Sequence, residues 1–124
     1  MRRALITLIG AGLLGTPLPG AVTTFVTTMS GSQETPPNGS TASGLTTVTL
    51  DTSAHTLSVS VSFSGLVGGP ASMGHIHCCA GPGVAAVVAV PYPGFPAATA
   101  GTYLHTFDLT DAATYNPPFL TSSG

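Results

Sequence analysis

Residues 57–64 constrain the fold more than any other segment, because apolar side chains alternate with serines at every position there. Successive side chains of a β-strand point to opposite faces of the sheet, so the apolar residues of this segment share one face and its serines share the other. The alternation predicts a strand with one face buried and one face in water, as found in antiparallel sheets and sandwiches.

Further segments have strand-like apolar patterns between turns rich in Gly, Pro, Asn and Asp, and no segment after residue 21 has an extended 3.6-residue period. These predicted strands cover residues 22–30, 45–50, 73–78, 84–90 and 101–109. The polar loop at residues 51–55 predicts an antiparallel hairpin. Thr110 or Asp111 is expected to cap one helical turn through Tyr115, which the two following prolines would end. The fold class is therefore predicted to be all-β, an antiparallel β-sandwich-like domain.

The N-terminal segment has the order of a secretory signal peptide. Arg2 and Arg3 precede an apolar stretch at residues 4–15, and small and turn-forming residues follow at 16–21. An apolar stretch of this length is too short for a membrane-spanning helix, which needs about 20 residues.

Cleavage is expected after Gly20 or Ala21. The chain then divides into a signal peptide at residues 1–21 and a single domain at residues 22–124. The processed domain is expected to be secreted or to remain in the periplasm or cell envelope, with no transmembrane segment.

The charge of the chain excludes some classes of binding partner. Arg2 and Arg3 are the only basic residues, and the whole chain has four acidic residues and a formal charge of −2. Cleavage removes both cations and leaves a formal charge of −4. A domain without Lys or Arg cannot neutralise phosphates, which excludes nucleic acid and anionic lipid surfaces. The hydrophobic content of the whole chain, 43%, argues against disorder.

Residues 75–79 read His-Ile-His-Cys-Cys and form the one cluster with metal-ligand chemistry. On a strand His75 and His77 share a face about 6 to 7 Å apart, and two neutral imidazoles can chelate copper or zinc. His105, on a later predicted strand, is the candidate third ligand, because His55 lies in a predicted turn. The alternative is that the paired histidines form hydrogen bonds to backbone or carboxylate groups of neighbouring strands.

Cys78 and Cys79 are the only cysteines, and thiols tend not to stay free in an oxidising compartment. An ordinary disulfide places its two Cα atoms about 5.5 Å apart, whereas sequence neighbours are about 3.8 Å apart. Three outcomes therefore stay open: a strained vicinal disulfide, bonds to another chain, or ligation of a soft metal beside the histidines.

Several segments share a pattern with one known family. They lie at residues 29–37, 56–66, 74–77, 101–110 and 119–120, and the third contains Gly-His-Ile-His. The processed sequence resembles a CHRD domain, the chordin-type module of exported bacterial proteins. The resemblance implies a β-sandwich-like module that acts outside the cytoplasm. Because family members continue beyond the position of Gly124, it also implies a domain incomplete by one or two C-terminal strands, one of which would supply a further histidine.

Two functions compete at this point. The first is a non-enzymatic binding or structural module, whose partner is an unknown extracellular or envelope protein or a matrix component. Its serines lie on the solvent side of predicted strands, and the chain has no Gly-x-Ser-x-Gly elbow. The second is a copper- or zinc-binding sandwich that uses His75 and His77. It loosely resembles copper–zinc superoxide dismutase, which also carries a His-x-His pair on a strand.

We predict that a bacterial secretion host releases a processed protein whose first residue is Ala21 or Val22, as read by N-terminal sequencing. Replacing Leu8 and Ile9 together by aspartate interrupts the apolar stretch, so that variant is expected to stay inside the cell at full length. An exported protein that still begins at Met1, or efficient release of the double variant, would contradict the prediction.

Overall fold

The computed structural model describes residues 20–34, 36–81 and 83–123. The predicted signal peptide lies outside them except for its last two residues. Within the described part the chain forms six strands and one short α-helix: β1 Val22–Ser30, β2 Ser43–Asp51, β3 Thr56–Ser64, β4 His75–Cys78, β5 Val87–Pro91, β6 Gly101–Asp108 and α1 Pro117–Ser123. Short 3₁₀ helices follow β1 at Gly31–Gln33 and precede α1 at Ala112–Thr114.

The strands form two antiparallel sheets. A four-stranded sheet has the order β1-β2-β3-β6, and β4 pairs with β5 in a two-stranded sheet. The all-β prediction is confirmed, and each predicted strand overlaps an observed one. The fourth and fifth strands are shorter than predicted at their N-terminal ends, since β4 begins at His75 and β5 at Val87.

The two faces of the four-stranded sheet differ in composition and exposure. Phe25, Val48, Val59 and His105 lie directly opposite one another across the four strands and therefore share the inner face. The outer face carries most of the serines and threonines of the sheet, together with four exposed apolar residues, Val22, Val26, Leu45 and Leu104. Two hydroxyl pairs join neighbouring strands there: Thr24 with Thr49 at 3.1 Å and Ser58 with Thr106 at 2.8 Å.

The hydrophobic core lies between the two sheets. Val59 is fully buried, and five other residues are nearly so: Val61, Tyr103 and Phe107 from the inner face, with Ala89 and Val90 from β5. Ile76 of β4 packs against this cluster. The two-stranded sheet thus covers the inner face over β3 and β6, while Phe25 at the β1 edge is 50% exposed.

The β2–β3 hairpin forms as predicted, with residues 43–51 paired antiparallel with residues 56–64. The Asp51 carboxylate accepts hydrogen bonds from the backbone N–H groups of Ser53 and Ala54, both at 2.9 Å. An aspartate in this position closes a turn without help from other strands. His55 ends the turn at a φ of 52°.

The C-terminal segment departs from the prediction in one respect. Asp111 caps the predicted helical turn by accepting from the N–H of Ala113 at 2.9 Å. The prolines were expected to end helical structure, but α1 begins at Pro117. The first turn of a helix does not use its N–H groups for internal hydrogen bonds, so proline is favoured there. No helix in the described residues is long and apolar enough to span a membrane.

We predict that Val59→Ala lowers the free energy of unfolding by about 2 to 3 kcal/mol, because it removes two buried carbons and leaves a cavity. Urea denaturation of the purified protein measures this change. Val67→Ala is the matched control, since Val67 is 88% exposed and its truncation should change stability by less than about 0.5 kcal/mol. Equal effects of the two substitutions would contradict the core described above.

Candidate functional site

Strand β4 presents its two histidines to solvent because Ile76 between them faces the core. A β-bulge follows Ile76. Ile76 pairs with Val90 and His77 with Val88, so Ala89 is the extra residue on β5. The bulge turns Ala89 inward together with Val90, which explains why two successive residues of one strand are both buried.

His75 and His77 form the histidine pair. Their ring centroids lie 4.5 Å apart with the ring planes at 81°. This is closer than the spacing along the strand predicts, since the rings lean toward each other. Both side chains are exposed. The shared face expected from the sequence is therefore present.

A backbone hydrogen bond holds the ring of His77. Its Nδ1 lies 2.8 Å from the carbonyl oxygen of Ala86. Because a carbonyl only accepts, Nδ1 carries the proton and donates. In the neutral ring Nε2 then keeps a free lone pair. This is a backbone hydrogen bond of the kind that the sequence analysis gave as the alternative to metal binding. It leaves Nε2 available to a metal ion.

His105 does not join the histidine pair. It lies on β6 and on the inner face of the sheet, between the rings of Tyr103 at 6.0 Å and Phe107 at 4.5 Å. Across residues 20–34, 36–81 and 83–123, no group of three or more His, Cys, Asp or Glu side chains is placed to hold a metal ion. The structure thus brings together His75 and His77, without the suggested third ligand.

Cys78 and Cys79 are bonded to each other in a vicinal disulfide, with their Cα atoms 3.1 Å apart. Of the three outcomes left open by the sequence, this is the first. Cys78 packs against the core, whereas Cys79 is exposed. The thiolate is the metal-binding form of cysteine, and a disulfide has none. In this state the two sulfurs add no thiolate ligand to the histidine pair.

An aromatic cluster lies beneath the two-stranded sheet. The rings of Tyr92 and Tyr103 stack at 5.1 Å. Phe95 contacts both of these rings, and Phe107 contacts that of Tyr92. Burial, with a smaller effect of Tyr103, raises the pKa of Tyr92 to about 12. Burial also raises the pKa of Tyr103, whose hydroxyl is buried without a hydrogen-bond partner. Both rings therefore contribute to the packing of the core.

A cleft that the sequence analysis did not identify lies at the end of the four-stranded sheet where β1 and β3 finish. We call it the end cleft. Its volume is about 390 Å³, and its apolar lining comes from two strands and two loops: Met29, Phe63, Leu66, Met73 and Phe95. Phe63 and Phe95 stack at 5.3 Å. The only trace in the sequence is that apolar residues continue past the ends of alternating strands into the loops.

A glycine keeps the end cleft open. Gly44 on β2 lies between Met29 and Phe63 in the strand register. A Cβ atom at this position would come within 2.8 Å of the Ser62 carbonyl oxygen and would also press on the Met29 side chain. The absence of a side chain at Gly44 therefore lets Met29 and Phe63 line the same space.

Glu34 gives this region its only fixed charge. It is the single acidic or basic residue that lines the end cleft. It also lines a neighbouring, more polar cleft of about 570 Å³ together with His77 and the disulfide. One carboxylate thus lies at the rim of both cavities, in the loop that follows β1.

One comparison with known proteins identifies a family. The family model described as the CHRD domain matches residues 25–118, a span that includes β4 with both histidines and every residue that lines the end cleft. The suspected resemblance is confirmed. No curated protein and no solved structure matches the chain significantly.

We predict that the neutral ring of His77 is the Nδ1–H tautomer, because the Ala86 carbonyl accepts from Nδ1. Long-range ¹H–¹⁵N spectra of the imidazole rings distinguish the two nitrogens directly. His55, which the structure places in an exposed turn, is the internal comparison. An Nε2–H tautomer at His77 would contradict the hydrogen bond.

Proposed function

Because the chain belongs to the CHRD domain family, we propose that it is an exported, non-enzymatic module that binds an extracellular or envelope partner through the end cleft. The end cleft is the observation that carries the proposal. It combines apolar walls with a few polar groups at its rim, which is the usual composition of a binding site.

The end cleft is large enough to hold a small part of a partner molecule. A volume of about 390 Å³ is near the lower end of ligand pockets, which span about 300 to 1,000 Å³. It accommodates one or two apolar side chains of a protein or a similar group of a matrix polymer. Met73 at its rim is 68% exposed, so a partner would bury apolar surface that is now in water.

Charge favours a neutral or basic partner. Glu34 is the only charged residue of the end cleft, and no Lys or Arg follows Arg3 in the sequence. An acidic group near the rim would meet a like charge with no cation to offset it. A lysine, arginine or amide group beside an apolar anchor fits the same rim.

The serines of β3 support a binding role over hydrolysis. They lie on the outer face, and none of them lines the end cleft, whose own serines are Ser30, Ser40, Ser43 and Ser72. Ser58 is hydrogen-bonded to Thr106 across the sheet at 2.8 Å. A nucleophilic serine needs a base within hydrogen-bond reach, and a threonine hydroxyl does not serve as one.

We predict that Met73→Glu reduces saturable capture of the partner from envelope or matrix extracts of the producing cells by roughly tenfold or more. Quantitative mass spectrometry of proteins retained on the immobilised protein measures the effect. Glu34→Gln should weaken retention less and reduce its dependence on salt.

Val67→Glu is the matched control, because Val67 is in the same loop, is 88% exposed and does not line the end cleft. It introduces the same charge and should retain the partner as the unmodified protein does. Equal retention by the Met73→Glu and Val67→Glu proteins would show that the end cleft is not the binding surface.

A further inference from the structure

We propose that His75 and His77 chelate a divalent transition-metal ion, with Cu(II) preferred over Zn(II), at a site formed by two imidazoles and completed by water. This site is separate from the end cleft and does not depend on the binding function proposed above. Four observations carry it: the ring spacing, the hydrogen bond of His77, the exposure of both rings and the local charge.

The ring spacing matches a shared metal. With metal–nitrogen bonds of about 2.0 Å, two imidazoles at neighbouring corners of a square-planar ion have centroids about 4.4 Å apart, and two on a tetrahedral ion have centroids about 5.1 Å apart. The observed separation is 4.5 Å. The separation of the pair therefore matches the square-planar arrangement that Cu(II) prefers.

The hydrogen bond of His77 prepares its second nitrogen. Metal-binding histidines almost always donate their other ring N–H to a carbonyl or carboxylate, which fixes the tautomer and the ring orientation. In this structure Nδ1 of His77 donates to the Ala86 carbonyl at 2.8 Å. Nε2 is then the ligand, and the bulge that follows Ile76 sets the position of His77 relative to that carbonyl.

The exposure of His75 and His77 determines which kind of metal site they can form. Both histidines are exposed, so an ion can reach them and keep several of its waters. Two protein ligands leave the remaining coordination positions to water, which gives an exchangeable site rather than a closed structural one. A site of this type follows the general order of affinity, in which Cu(II) exceeds Zn(II).

Local charge favours a cation. Glu34 lines the same cleft as His77, and no Lys or Arg follows Arg3 in the sequence. The carboxylate raises the local concentration of cations without the need to coordinate them. The disulfide at Cys78 and Cys79 adds no thiolate, so nitrogen and water are the expected donor set.

The test is a titration of the purified protein with Cu(II) and with Zn(II), in which isothermal titration calorimetry measures the affinity and the number of ions bound. One equivalent of Cu(II) should bind in a histidine-dependent manner and more tightly than Zn(II). His75→Ala and His77→Ala should each weaken Cu(II) binding by at least about tenfold, since even the loss of a supporting group typically costs about 10- to 100-fold. Electron paramagnetic resonance should show coupling to imidazole nitrogen.

His55→Asn is the matched control, because it removes a histidine elsewhere and asparagine tolerates the positive φ of 52° at that position. It should bind Cu(II) as the unmodified protein does. Circular dichroism of each variant verifies the fold, and paramagnetic broadening of the His75 and His77 ring signals in the unmodified protein localises the ion without any substitution.

Unchanged Cu(II) affinity in both alanine variants would place the ion elsewhere, for example on the N-terminal amine, and would overturn the proposal. Broadening that spares both rings would do the same. The Met73→Glu protein should keep its Cu(II) affinity, so failure of the partner-binding proposal and failure of the metal proposal are separate outcomes.

Discussion

The packing of β5 against the inner face of the four-stranded sheet determines most other features of this domain. Val59 and Val61 supply one side of that contact, and Ala89 and Val90 supply the other. A sheet with one apolar face is stable only when that face is covered. Because β4 is paired with β5, its orientation is set by the same contact, and Ile76 faces inward while its neighbours face out. The exposure of the histidine pair is thus a consequence of core packing.

The same packing separates the three kinds of polar group in the molecule. Most serine and threonine hydroxyls of the four-stranded sheet lie on the outer face, where some bond across strands, as Ser58 does with Thr106. The rings of Tyr92 and Tyr103 lie in the aromatic cluster, where burial raises the pKa of Tyr92 to about 12. Imidazoles of the histidine pair reach solvent with one nitrogen already bonded to the backbone. The proposed chelation uses the imidazoles because they are exposed and the ring of His77 is already oriented by the backbone.

Local patterns predicted much of this architecture, and nonlocal contacts account for the rest. Alternation at residues 57–64 predicted β3 and its faces, and the same two-residue period placed His75 and His77 side by side. The run at residues 84–90 is apolar without alternation, so neither the start of β5 nor its bulge followed from it. The end cleft could not be predicted from the sequence for a different reason. Its walls come from segments distant in sequence, and only the strand register brings them together.

Electrostatic attraction at the end cleft depends on Glu34 more than on the net charge. Asp51 and Asp108 lie at the same end of the sheet, because both pair with Thr56 of β3. The end cleft lies by Gly44, seven positions before Asp51 along β2. That separation is about 23 Å at about 3.3 Å per residue. The Debye length in physiological salt is about 8 Å, so Asp51 and Asp108 are screened from the end cleft. The histidine pair differs, because it lies near two acidic residues: Glu34 lines the cleft of His77, and Asp111 lines a cleft with Pro91, the strand partner of His75. A cation at the histidine pair would therefore be attracted from both sides of β4, independently of any group bound in the end cleft.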